Sequence, residues 1–168
     1  MIKKTLFTIF LLLSLSVNSY SAESGDSGSS ESGSSKIKTN YEKALSHIKL
    51  AKKYEKKNKI KKANKRYQKA LKLLIKSNEK KPNNPDTLNY LGFTTRKLGD
   101  YVTGEKFYLQ GLAIEPRHIG INEYLGELYV ATNRIDLAKE RLKILKDCNC
   151  EEYVELNEII QGTKKSKY

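Results

Sequence analysis

The cysteines and histidines of this 168-residue chain, the side chains best suited to redox, soft-metal or general-base chemistry at neutral pH, are Cys148, Cys150, His47 and His118. A Cys-x-Cys pair can close a local disulfide, cross-link to a partner, stay as inert thiols, or offer two thiolates to a soft metal such as copper(I) or zinc. A metal would need more ligands, and both histidines lie well upstream, so no metal centre is expected. No hydrolase elbow, phosphate-binding loop or paired zinc-ligand motif occurs. His118 directly follows Pro116-Arg117 at a helix start, which suits a surface or capping residue. Without a convergent acid, base and nucleophile, the sequence points to no catalytic residue, no cofactor and no enzyme activity.

Segments of contrasting composition surround these residues. Lys3 and Lys4 precede the apolar run Leu6 to Val17, which ends in Asn18-Ser19-Tyr20-Ser21-Ala22, the outline of a secretory signal peptide over 1–21. The run is too short for the roughly 20 apolar residues that cross a bilayer. Export is therefore expected, to a bacterial periplasm first and otherwise to the exterior. Residues 22–38 are dominated by Ser, Gly and acidic groups, which bury no apolar surface, and predict a disordered linker. The remainder, 39–161 with a basic tail at 162–168, is enough for one domain.

Charge divides this domain. From Lys36 to Lys81 there are 18 Lys and Arg against three acids, a net +15, whereas Pro82 to Tyr168 is close to neutral at −1. The basic part could attract an acidic polypeptide or an anionic membrane surface, or could simply be solvated. Export makes nucleic acid a poor candidate.

Apolar residues recur at three- and four-residue spacing between breaks at Pro82-Asn83-Asn84-Pro85, Gly99-Asp100, Glu115-Pro116 and Thr132-Asn133, which predicts an all-α domain. Helices are expected over 40–57, 60–80, 86–98, 101–114, 119–132, 135–147 and 151–161. Thr39 and Glu42 have capping-box spacing, and Asn84-Pro85 and Asp100 are further start signals.

The chain also repeats itself at an offset of 34 residues: Leu91-Gly92 returns as Leu125-Gly126, Gly104 aligns with Ala138, and Tyr108 with Leu142. A weaker unit, Leu50-Ala51, Tyr54, Ala63, Tyr67 and Ala70, lies 41 residues before the central one. Seven extra residues are two helical turns, which keep the same face inward. Leu88, Leu91-Gly92, Gly99, Tyr101, Gly104, Tyr108, Gly111 and Pro116 together resemble the tetratricopeptide repeat (TPR), with Thr95 where that family prefers Tyr. The resemblance implies an α-solenoid of three hairpins, at about 40–80, 86–114 and 119–147, closed by a capping helix at 151–161.

It also implies a groove lined by the first helix of each hairpin that receives a peptide or helix of another protein. Transferred by alignment, the groove positions are Lys49, Lys52 and Lys56, then Asp86, Asn89, Tyr90, Phe93, Arg96 and Lys97, then Glu123, Tyr124 and Glu127. They run from basic through aromatic to acidic. One TPR sub-family clamps a chaperone's C-terminal carboxylate with cations, but Gly120, Glu123 and Glu127 stand where the third hairpin would need them. The expectation is a non-catalytic scaffold of the cell envelope that binds a polarised segment of a partner protein. An alternative is electrostatic adhesion of the Lys-rich first hairpin to an anionic membrane surface or acidic polymer.

Overall fold

The computed structural model describes residues 38–166, so the expected signal peptide and nearly all of the expected linker lie outside the described residues. Seven helices follow one another: α1 Asn40–Glu55, α2 Ile60–Lys80, α3 Pro85–Lys97, α4 Tyr101–Ile114, α5 Ile119–Ala131, α6 Ile135–Leu145 and α7 Glu151–Ile160. There is no strand among the described residues, and no helix there is long and apolar enough to cross a membrane.

Four of the seven starts carry a side-chain cap. At α1 the Thr39 hydroxyl accepts from the Glu42 backbone N–H while the Glu42 carboxylate accepts from the Thr39 N–H at 2.7 Å, a complete capping box. Asn84 and Asp100 cap α3 and α4 by accepting from the N–H groups of Thr87 and Thr103. His118 Nδ1 accepts from Ile121 N–H at the start of α5. The turns inside the three hairpins all pass through a left-handed residue, Asn58, Gly99 or Asn133, with φ of 53°, 95° and 58°. These residues keep the repeat's own offsets of 41 and 34. The longer first unit arises in α2, which has 21 residues where α4 has 14.

α1 pairs with α2, α3 with α4 and α5 with α6, and successive hairpins stack through α2–α3 and α4–α5. Small residues set how closely the helices approach. Ala44, Ala51, Ala63 and Ala70 are wholly buried in the first hairpin, with Tyr67 filling the space beside them. In the second, the Tyr108 ring lies over Gly92, where a Cβ would fall 2.5 Å from Cε1. α7 packs on α5 and α6, seating Leu156 on Gly126. Leu156 and Ile159 are its two buried side chains, and at roughly 1.5–3 kcal/mol each they anchor the cap.

Candidate functional site

Helices α1, α3, α5 and α7 present their inward faces to one another, and most of the expected groove residues meet there. Phe93 is fully buried, edge-on to Tyr67 with centroids 6.0 Å apart and tilted against Tyr124 at 5.1 Å. The Lys52 ammonium sits 4.6 Å from the Phe93 centroid and 3.5 Å from the Tyr124 hydroxyl, so α1 reaches across α3 to α5. A cation over aromatic faces is worth roughly 0.5–2 kcal/mol. Tyr41 and Tyr90 make a second edge-to-face pair at 6.0 Å.

Beside this stack Arg96 donates to the Tyr124 carbonyl at 2.8 Å and pairs with Glu127 at 3.4 Å, both charged side chains being 1 % exposed. Lys97 pairs with Glu55, which also accepts from the Tyr67 hydroxyl at 2.9 Å. Burial lowers the Lys97 pKa, while its hydrogen bond and attraction to Glu55 oppose the shift. Asn89 is buried against Gly120. Lys49 and Lys56 stay in solvent.

These positions qualify the expected groove. Alignment brings Lys52, Tyr90, Phe93, Arg96, Glu123, Tyr124 and Glu127 to one face. Yet Phe93, Asn89, Arg96, Glu123 and Glu127 are buried, so they form an inner wall and not an open contact surface. Phe93 in particular is a core residue, not an exposed anchor. Lys52, reaching from α1 to Phe93 and Tyr124, closes the centre of the face.

At the far end the carboxylates of Glu123 and Glu127 on α5 meet Glu155 on α7, with oxygens within 4.8 Å of one another. Burial, and then repulsion from Glu127, Glu155 and Glu152, push the Glu123 pKa up to about 8, and a hydrogen bond to Glu155 adds to the rise. Residues 162–166 of the basic tail fold onto this acidic wall. Gly162, at φ 72°, turns the chain, Lys164 pairs with Glu155 at 2.9 Å, and the Ser166 hydroxyl donates to Glu127 Oε2 at 3.2 Å.

At the opposite end, the two extra turns of α2 run past the start of α1 and leave a cavity of about 590 Å³. Lys38, Lys43, Lys80 and Lys81 line it, together with Ser77, Tyr41 and the start of α3 at Asn84, Asp86 and Thr87. Alignment to the repeat missed this mouth because Lys80 and Lys81 lie in the segment that the other units lack. The surplus of lysine up to Lys81 was its only signal.

The histidines do not converge. His118, accepting at Nδ1, carries its proton on Nε2 and donates it to Asp86 at 3.2 Å, tying α5 to α3. His47 accepts from Arg66 in the first hairpin, and burial with the nearby Arg66 and Lys69 charges lowers its pKa. Cys148 and Cys150 are joined to each other by a disulfide across the left-handed Asn149, in the turn before α7.

No protein-family model matches the sequence, and no curated protein sequence matches it. Among solved structures, the chain is similar to the first TPR of Spaghetti (RPAP3) bound to HSP90 peptide SRMEEVD, with a TM-score of 0.51 and 22% identity over 76% of this chain and 98% of that one. It is also similar to the first TPR domain of the human RPAP3 protein, with a TM-score of 0.53 and 21% identity over 72% of this chain and 92% of that one. With the hairpin repeat, the stacking and the capping helix already in view, these likenesses establish a TPR-like α-solenoid as the fold.

Proposed function

We propose that this chain is a non-catalytic interaction scaffold of the cell envelope, and that it receives a segment of a partner protein whose acidic stretch enters the lysine-lined mouth. The observation that carries this reading is the cavity between α1, α2 and α3. Four lysines converge there, and the one acid of its lining, Asp86, is engaged by His118. A peptide-bound TPR among the solved structures of this fold supports polypeptide as the ligand class. The envelope setting rests on the signal-peptide outline of residues 1–21.

A photo-crosslinking residue placed at Ser77 should capture a partner in living cells, and the same residue at Lys139 on α6 should not. Lys80→Glu with Lys81→Glu should abolish the Ser77 adduct. Adducts that survive this reversal, or that form equally from α6, would remove the mouth from the reading. The first hairpin also exposes nearly all its lysines, which favours adhesion to an anionic surface as a second reading. Salt-sensitive binding to vesicles containing about 30% anionic lipid, lost in the same double variant, would select it.

A further inference from the structure

At the acidic end of the inner face the chain folds back on itself through residues 162–166. After Ile160 the helix closes with the N–H groups of Thr163 and Lys164 both donating to the Glu158 carbonyl. Gly162 supplies the left-handed turn this closure requires. The tail therefore runs back across the inward side of α7 toward α5, not on into solvent. Lys164 pairs there with Glu155 at 2.9 Å and Glu158 at 3.5 Å. Ser166 reaches Glu127, 39 residues earlier in the chain, at the carboxylate oxygen that also pairs with Arg96. The described tail residues Thr163-Lys164-Lys165-Ser166 carry two lysines and no acid, against Glu123, Glu127, Glu152, Glu155 and Glu158 on α5 and α7.

We propose that the wall formed by Glu127 and Glu155 is a binding subsite for a lysine- and hydroxyl-bearing peptide segment, and that Lys164–Ser166 is its resident internal ligand. A partner's basic segment gains the subsite by displacing the tail. The inference rests on the scaffold reading in that it assigns the basic end of the same partner to the end of the face opposite the mouth. Because the tail is tethered a few residues from its site, its effective concentration is on the order of millimolar. A free peptide of the same sequence therefore binds the intact chain poorly.

The test uses a fluorescent peptide with the sequence of residues 161–168 and the full chain. In a tail-opened variant, Lys164→Glu with Lys165→Glu and Ser166→Ala, the peptide should bind about tenfold or more tighter than to the parent. Adding Glu155→Gln should remove that gain, as should Glu127→Gln. Glu155 is the more exposed of the two, so its variant keeps the test sound if Glu127→Gln disturbs the fold. A control peptide with each Lys replaced by Glu should not bind. Equal affinity for the parent and the tail-opened variant overturns the proposal, and so does binding indifferent to both carboxylate substitutions. The readout does not involve the mouth lysines, so loss of the Ser77 adduct would leave it standing, and its failure would leave the mouth untouched.

Discussion

With Glu127 and Glu155 for neighbours and only 6 % of its surface exposed, Glu123 keeps its proton up to about pH 8. The folded chain thus binds this proton more tightly than the unfolded chain, where the group titrates near its ordinary 4.5. The stabilisation is complete below the unfolded value and is lost as pH climbs through the folded one. Glu127 and Glu152 face the group from α5 and α7 along with Glu155, and Arg96 and Lys164 lie around the same cluster from α3 and the tail. Glu123→Gln keeps a hydrogen-bonding amide that does not ionise. Urea unfolding at pH 5, 6.5 and 8 should show the parent weakening across this window and the variant nearly flat. A variant as steep as the parent would assign the slope to another carboxylate.

At the level of elements, Gly92 shows what local pattern could reveal. A glycine inside a helix costs about 1 kcal/mol against alanine, so its presence in α3 demanded a packing reason, and the Tyr108 ring is that reason. Gly92→Ala gains the helix propensity but drives a methyl into a fully buried ring. Overpacking of this kind costs about 1–3 kcal/mol, and with so close a contact the ring term should win. A fall in Tm of several degrees is expected, while an unchanged or higher Tm would mean that the ring swings aside. The same local logic made the helix limits legible to within two residues, since caps, turns and apolar spacing are properties of neighbours in sequence. The filling of the inner face was not legible. Lys52 meets Tyr124 72 residues on, and Ser166 meets Glu127 39 residues back. Alignment to a repeat shows which residues face inward. How tightly the hairpins wind, and therefore whether Phe93 is an anchor or core, depends on contacts between units that no single repeat encodes.

For the molecule as a whole, stacked hairpins make stability a sum of local terms and neighbour interfaces, so an electrostatic burden on one unit stays largely with that unit. The segment from Lys36 to Lys81 carries the +15 charge, and the buried residues of its two helices are mostly alanine, with Ile48, Tyr67 and Leu74 as the larger members. The second and third bury Leu, Ile and Tyr against a nearly neutral surface. Self-repulsion should therefore weaken α1 and α2 most, and it should yield to screening. The Debye length falls from about 30 Å at 0.01 M salt to about 10 Å at 0.1 M, which is shorter than the spread of lysines along α2. Raising salt across this range should slow amide exchange in α1 and α2 by more than in α5 and α6, and raise the Tm of the whole domain. Filling the mouth with an acidic segment should have the same local effect at constant salt, because it supplies the countercharge that the hairpin lacks. Equal salt protection in every hairpin would detach the charge asymmetry from stability and leave it to association alone.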